Sequence, residues 1–377
     1  MTDEELQRLA EAGLYGPSRA DAAEQRALLA RLLAQGLTVD DLVAANRLGN
    51  VVLAAFGHLI RPGDRLAIGE AAAAAGIPED AVLRLWRAFG FPDPPSGEPF
   101  LVPDDVHTLA FFREMTQFVG AELALHAARA MGTAMSRVAE AEIALVRSRF
   151  EAPMHSQGES WASILLGYSA VIETFLPAAL RAMDALHRAH LVDITRRYSA
   201  WALPPSEHNV LDLVVGFADL TGSTVMVRRL DLAGLDRAIT RFEEATSDLI
   251  AAAGATLVKR LGDGVMFVTP RPDVACRLAL DLVEAFRDDA DSLPARVGLA
   301  VGHVAALRGD FYGPAVHLAA RLASVAAPAT VLSVPALRER LESAASGFVF
   351  HDAGRRELAG FDGAIEVCDL RRQATAT

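Results

Sequence analysis

The sequence predicts a multidomain protein, with an all-α N-terminal domain followed by an α+β domain of ferredoxin-like βαββαβ order. Three observations carry this prediction. The chain has 377 residues, which is enough for two full cores. Up to about residue 200, apolar residues recur at the three- and four-residue spacings of amphipathic helices. After a proline-containing linker at residues 201–209, short apolar strands alternate with helical stretches.

The N-terminal domain, residues 1–200, is predicted to be helical throughout. Thr38 with Asp41 three residues later is typical of a helix start, and Pro78 opens another helix. Proline and glycine mark loops at residues 61–64 and 91–97. The helical stretches are Ala22–Leu33, Val39–Leu59, Val106–Val146 and Trp161–Leu191.

The C-terminal domain, residues 210–372, is predicted to alternate strands and helices, as in a ferredoxin-like sheet with helices on one face. A Gly262-Asp263-Gly264 turn joins the second and third strands, because Asp-Gly suits positive φ. The expected strands are Val210–Leu220, Thr256–Leu261, Val265–Val268, Arg296–Val301, Thr330–Val334, Phe348–His351 and Ile365–Leu370. The expected helices are Asp231–Ala253, Val274–Phe286, Ala315–Ala326 and Pro335–Ala345.

The composition argues against several classes of function. The formal net charge of −12 disfavours nucleic acid or an anionic membrane as the main partner. Cys276 and Cys368 form no CxxC motif and no Cys/His cluster, so no soft-metal site is expected. This cysteine usage, with an acidic N-terminus unlike a signal peptide, favours a cytoplasmic protein.

No stretch of the sequence is expected to cross a membrane. A spanning helix needs roughly 18 to 20 consecutive apolar residues. The nearest candidate, Ser160–Leu180, contains Glu173 and Pro177. A helix in a buried core or an interface is the better interpretation of this segment.

Two aspartates stand at the ends of neighbouring predicted strands. Asp219 ends the first strand, and the amide groups of Gly222, Ser223 and Thr224 after it can bind phosphate at a helix start. Asp263 lies in the hairpin turn. Either aspartate alone would be a common residue of a turn. Together they can hold two Mg²⁺ ions, which are suited to in-line displacement at phosphorus.

Lys259, just before this turn, is the only lysine among 36 lysine and arginine residues. Lysine is a compact point charge with three donors, whereas arginine is a planar fork with five. A lysine at this position is therefore suited to bind a single hydrogen-bond acceptor in a tight pocket. Chance retention of an exposed lysine is the alternative explanation.

The segment Gly309–Leu322 contains three more candidates. Asp310 is near its start, and His317 and Arg321 are four residues apart, so they share one face of the predicted helix. By itself, this pair could equally belong to a solvated helix surface.

Together, these segments resemble the catalytic domain of the class III nucleotidyl cyclases, over roughly residues 208–372. The resemblance implies that Asp219 and Asp263 bind two Mg²⁺ or Mn²⁺ ions, with the Leu220 carbonyl as a further ligand. It also implies that Lys259 and Asp310 recognise the purine. The expected substrate is a nucleoside triphosphate.

The resemblance assigns Arg321 to stabilising the transition state. The expected reaction is in-line attack of the ribose 3′-oxygen on the α-phosphorus, which releases pyrophosphate and leaves a 3′,5′-cyclic nucleotide. In this family the two halves of a site come from different subunits. A chain that contains every part is therefore expected to form a homodimer with two sites.

The purine pair favours ATP over GTP. Adenine offers N1 as an acceptor and N6 as a donor, which match a Lys259 ammonium and an Asp310 carboxylate. Guanine has a donor and an acceptor at the opposite positions, so both hydrogen bonds would be mismatched. A site built on such bonds can favour the right base by a factor of roughly 10⁴ or more in kcat/KM. The predicted enzyme is therefore an adenylate cyclase that produces cyclic AMP.

Two positions depart from the family pattern. His317 stands where relatives usually carry an asparagine that helps to place the ribose, and we hypothesise that it works when neutral and impairs turnover when protonated. A tolerated substitution with a modestly lower rate is the alternative. Ala359 stands near a phosphate-facing lysine of relatives, which leaves Arg355 and Arg356 as candidate substitutes.

The N-terminal half resembles, more loosely, the helical regulatory domain of some actinobacterial adenylate cyclases. That resemblance implies autoinhibition, a helical arm in dimerisation, and control by pH or by an apolar effector such as a fatty acid. Apolar helices such as Ile164–Leu176 could bury a lipid tail, although an ordinary core is the better explanation. His187, His190 and His208 lie close to the linker, where protonation could bias docking.

Two other functions compete with this interpretation. Leu66–Ala75 and Pro78–Phe89 have helix-turn-helix spacing, as in DNA-binding regulators. Glu79 and Asp80 would then face the phosphates, which disfavours DNA binding. A catalytically weak cyclase that only senses nucleotide is the second alternative, with His317 as the argument in its favour.

Overall fold

The computed structural model describes residues 1–377 except 20, 35, 50, 95–96, 159–160, 202–209, 222–230, 288–292, 308, 342–346 and 374–377. The chain divides into two compact units, Met1–Asp193 and Ile194–Thr377. Residues 202–209 of the predicted linker lie outside the described residues, so the linker remains a prediction.

The first unit is helical, as the sequence predicts. Two predicted helices are each divided, at Gly49 and at Gly120, because both glycines adopt positive φ angles that end a helix. The helices are α1 (Asp3–Glu11), α2 (Ala22–Ala34), α3 (Val39–Arg47), α4 (Val51–Ile60), α5 (Ile68–Ala75), α6 (Glu79–Ala88), α7 (Pro103–Val119), α8 (Ala121–Val146), α9 (Ala152–Ser156) and α10 (Trp161–Ala200), with a π-helical turn at Arg147–Glu151.

Helix α10 is buried only near its start. Ile164, Leu165 and Tyr168 belong to a core shared with the first four helices, whereas Phe175 is 64% exposed. Among the described helices, α10 is the one that is long and apolar enough to cross a membrane by length and composition alone. Its residues from Ile194 onward belong to the second unit.

The second unit contains a mixed sheet with the strand order β2-β3-β1-β4-β6-β8-β7, and β5 pairs with the end of β4. The strands are β1 (Val210–Leu220), β2 (Thr256–Arg260), β3 (Gly264–Thr269), β4 (Ala295–Leu307), β5 (Asp310–Tyr312), β6 (Val331–Ser333), β7 (Phe348–Glu357) and β8 (Ala364–Arg372). The helices are α11 (Leu232–Ala252), α12 (Pro272–Ala285), α13 (Pro314–Val325) and α14 (Pro335–Glu339). The predicted βαββαβ order is confirmed by β1-α11-β2-β3-α12-β4.

Helices cover both faces of the sheet, so the expectation of a single covered face is wrong. Residues of α11 and α12, such as Phe242 and Leu282, pack in one core cluster, whereas Ala319 of α13 packs in the other. Gly298 of β4 permits this second layer. A Cβ at Gly298 would lie 2.2 Å from the Ala323 nitrogen and 2.3 Å from the Ala319 oxygen. The missing side chain therefore lets α13 approach the sheet closely.

Candidate functional site

The two aspartates predicted to bind metal lie at one end of the sheet. Asp219 is near the end of β1, and its Cα partner on β3 is Gly264, the residue after Asp263. The Leu220 amide donates to the Asp263 carbonyl at 3.1 Å. Antiparallel pairing of β1 with β3 therefore brings the strand end and the hairpin turn together.

Arg296 is a part of this site that the sequence interpretation missed. It lies directly across from Asp219 on β4 and donates to Oδ2 of that carboxylate, from Nη2 at 2.7 Å and from Nε at 3.2 Å. Its Nη1 donates to the Ser324 carbonyl at 2.8 Å. The pairing of Arg296 with Asp219 depends on the register of β1 against β4. A motif of residues adjacent in sequence does not reveal that register.

Burial raises the pKa of Asp219, the hydrogen bond from Arg296 opposes that shift, and the charge of Asp263 adds to it. Two partly buried carboxylates of like charge favour a bound cation, and oxygen donors suit Mg²⁺ or Mn²⁺. Across the residues that the structure describes, no group of three or more His, Cys, Asp or Glu side chains could hold a metal. A cation here would therefore need further oxygens, from backbone carbonyls such as Leu220 or from substrate.

Lys259 and Asp310 meet, although they are 51 residues apart in the sequence. The Lys259 ammonium donates to Oδ2 of Asp310 at 2.5 Å, and the side chains are 33% and 24% exposed. Oδ1 of Asp310 accepts from the Phe311 amide at 2.8 Å. The pair therefore offers one donor and one acceptor at the same partly exposed place.

A β-bulge sets the direction of Lys259. The pairing register of β2 shifts between Leu257 and Lys259, so that Val258 is an extra residue and Lys259 lies opposite Met266. Met266 is buried in the core cluster that includes α13. In an unbulged strand Lys259 would lie opposite Val265, which is buried on the other face. The extra residue therefore places Lys259 on the α13 face of the sheet.

His317 and Arg321 line one pocket on α13, as their spacing predicts. The pocket has a volume of about 520 Å³, and both side chains belong to exposed residues. Ala359 lines the same pocket, so the position without the expected lysine lies beside the candidate transition-state arginine. The other lining residues are Gly313, Pro314, Gly360 and Phe361.

Neither candidate substitute for the absent lysine lines this pocket. Arg355 donates to the Ala364 carbonyl at 2.7 and 3.2 Å, and Arg356 donates to the Arg355 carbonyl at 3.3 Å. The predicted phosphate-binding residues Gly222, Ser223 and Thr224 lie outside the described residues.

The predicted site residues thus form three groups: the aspartates with Arg296, the Lys259–Asp310 pair, and the α13 pocket. Within the described part of the chain, no hydrogen bond or ion pair between side chains joins one group to another.

Comparisons with known proteins agree with these observations. The family model described as "Adenylate cyclase regulatory domain" matches residues 2–191. An uncharacterized protein of Mycobacterium tuberculosis is 34% identical over 93% of this chain and 91% of that protein. An adenylate cyclase of Streptomyces coelicolor is 31% identical over 72% of this chain and 70% of that protein. A pH-sensitive adenylate cyclase of Mycobacterium tuberculosis is 28% identical over 97% and 91% of the two lengths.

Among solved structures, the adenylyl cyclase CyaB of P. aeruginosa matches 45% of this chain and 98% of its own, with a TM-score of 0.40 and 18% identity. The regulatory-domain match covers about half of the chain. The Streptomyces enzyme aligns over more than two thirds of both lengths. By these two matches, the chain belongs to the adenylate cyclase family.

Proposed function

We propose that this enzyme converts ATP to 3′,5′-cyclic AMP and pyrophosphate, under the control of its N-terminal unit. The contact between Lys259 and Asp310 carries the proposal, because it presents the donor and the acceptor that adenine requires. Without a base, the two charges satisfy each other. A bound adenine would accept from Lys259 at N1 and donate from N6 to Asp310.

Asp219 and Asp263 would hold two Mg²⁺ or Mn²⁺ ions, which when bound supply the positive charge that favours ionisation of the ribose 3′-hydroxyl and neutralises the triphosphate. Arg296 holds the Asp219 carboxylate in place and offsets its charge. Arg321, exposed in the α13 pocket, would stabilise the charge that develops at the α-phosphorus.

The site would be shared between two copies of the chain. The aspartate group of one subunit would face the Lys259–Asp310 pair and the α13 pocket of the other. Among the described residues, no side-chain hydrogen bond or ion pair joins the aspartate group to the other two groups, which agrees with this arrangement. A two-fold homodimer would contain two such sites.

The direct test is cyclic AMP formation from MnATP by the purified full-length chain across pH 5 to 8. Turnover that requires Asp219 and Lys259 supports the proposal. Nucleotide binding without turnover would instead favour the nucleotide-sensing alternative. The DNA-binding alternative is disfavoured, because α6 begins with Glu79 and Asp80 and buries Leu85 and Trp86.

Replacing His317 with asparagine is expected to flatten the acidic limb of the pH–rate profile. Asparagine can make the same kind of hydrogen bond to a ribose hydroxyl, but it does not gain a charge as the pH falls. The measurement is kcat/KM for ATP at intervals from pH 5 to 8 in both proteins. An acidic limb of unchanged shape would contradict the role proposed for His317.

A cavity of about 760 Å³ between α6, α7 and α8 is the candidate site for an apolar effector. Its lining is mostly apolar and includes Phe112, Met131 and Met135. The segment predicted to bury a lipid is not this site, because Ile164 and Leu165 are part of a closed core. Control by pH is the other candidate signal, supported by the pH-sensitive relative.

A long-chain fatty acid is therefore expected to raise the Tm of the full-length protein and to change its activity at fixed ATP. Met135→Glu should abolish both effects, since it replaces an apolar lining side chain by a charged one that an acyl chain would have to desolvate. Leu123→Glu is the matched control, because Leu123 is exposed on the same helix and does not line the cavity. Equal responses from both variants would contradict a site in this cavity.

A further inference from the structure

Arg197, near the end of α10, and Trp201, directly after that helix, pack against the strands that carry the proposed adenine-reading pair. Nη1 of Arg197 donates to Oγ1 of Thr256 on β2 at 2.9 Å. The Arg197 guanidinium lies 5.8 Å from the centroid of the Trp201 ring, within the range of a cation–π contact. The centroid of the Trp201 ring lies 6.5 Å from the centroid of the Phe311 ring on β5.

These contacts lie close to Lys259 and Asp310 along both strands. Thr256 is three residues before Lys259, and Phe311 directly follows Asp310. The Phe311 amide also donates to the Asp310 carboxylate. Trp201 and the bulge residue Val258 pack against the same core cluster. A shift of the Trp201 side chain would therefore displace both Lys259 and Asp310.

Among the residues that the structure describes, each of the two strands is paired with a neighbouring strand on one side only. In the described sheet, β2 is an edge strand with β3 as its neighbour, and β5 has three residues that pair with β4 alone. A short strand held on one side depends on side-chain packing for its exact placement. Trp201 and Arg197 supply such packing at β5 and β2.

We propose that Trp201 is a positioning residue that sets the distance between Lys259 and Asp310, so that the end of α10 controls affinity for the adenine base. The inference rests on the proposed function. Helix α10 begins in the first unit and ends beside the strands that carry Lys259 and Asp310, so it would change the affinity for ATP. A change in α10 would then appear in KM for ATP more than in kcat.

The expected effect of Trp201→Ala in the full-length protein is an increase in KM for ATP of about 5- to 20-fold, with kcat within about 2-fold. The ratio of kcat/KM for ATP to that for GTP should fall as well, because a loosened pair selects less strictly. Trp201→Phe keeps a ring against Phe311 and should restore most of both properties. A merely structural loss would lower kcat for both nucleotides together and leave KM and the ratio unchanged.

Thr256→Val provides a second variant of nearly the same shape, which removes only the hydrogen bond from Arg197. It should shift KM in the same direction by a smaller factor. Affinity for 3′-deoxy-ATP, which cannot cyclise, is measured by calorimetry in each protein. Weaker binding in Trp201→Ala, with recovery in Trp201→Phe, supports the inference.

Unchanged binding in Trp201→Ala and Thr256→Val would overturn it. Absence of cyclic AMP from the wild-type protein would instead be a failure of the proposed function. The binding experiment still decides the role of Trp201 in that case.

Discussion

Asp219→Asn is expected to lower cyclase activity by about 10³-fold or more. The amide keeps the size of the carboxylate but removes the charge that would hold a divalent cation, and it leaves Arg296 without its ion pair. The measurements are kcat for MnATP and the increase in Tm on addition of Mn²⁺. Both should be lost.

Asp212→Asn is the matched control. Asp212 lies on the same strand, β1, and also forms an ion pair, with Arg340, but far from the strand end that carries Asp219. A partly exposed ion pair of this kind contributes little to stability, so activity should stay within about 2-fold of wild type. Activity above a tenth of wild type in Asp219→Asn would contradict the assignment of Asp219 as a metal ligand.

Lys259→Met is expected to lower kcat/KM for ATP by about 10²- to 10³-fold and to remove most of the preference for ATP over GTP. Methionine has nearly the length of lysine but donates no hydrogen bond, so it offers no donor to adenine N1 and removes the ion pair of the Asp310 carboxylate. The measurement is kcat/KM for both nucleotides under identical conditions.

Arg260→Met is the control for this change, because the adjacent residue lies on the opposite face of the sheet. Arg260 donates to the Ser247 hydroxyl at 2.7 Å and lies 3.9 Å from the Glu243 carboxylate, both on α11. Its loss should leave the ratio of ATP to GTP use unchanged. A similar fall in that ratio for both variants would show that the strand, rather than the Lys259 ammonium, sets the preference.

Much of the fold was predictable because strand and helix periods dominate the sequence. The order β1-α11-β2-β3-α12-β4 follows from alternation, loops and one Gly-Asp-Gly turn. Strand β5 was not predicted, since three residues after a glycine give no period. The second helical layer was also not predicted, because it depends on how closely Gly298 lets α13 approach the sheet, a distance that no local pattern contains.

Some residues of the candidate site were likewise predictable from the sequence, whereas others depend on strand pairing. Residue type and spacing singled out Asp219, Asp263, Lys259, Asp310 and Arg321, and the resemblance to the cyclase catalytic domain supplied the role predicted for each. Arg296 was missed because only the register of β1 against β4 places it across from Asp219. The bulge at Val258 was missed as well, although it decides which face of the sheet Lys259 occupies.

Mixing the two inactive variants Asp219→Asn and Lys259→Met shows whether an ATP-cyclising site is shared by two subunits. Random exchange of subunits gives about half heterodimers, each with one intact site of two, so the mixture should recover about a quarter of wild-type cyclic AMP formation. Recovery to that level would establish both the reaction and the shared site. If wild type is active and subunit exchange is verified, a mixture no more active than its separate components would show that the site is not shared between subunits.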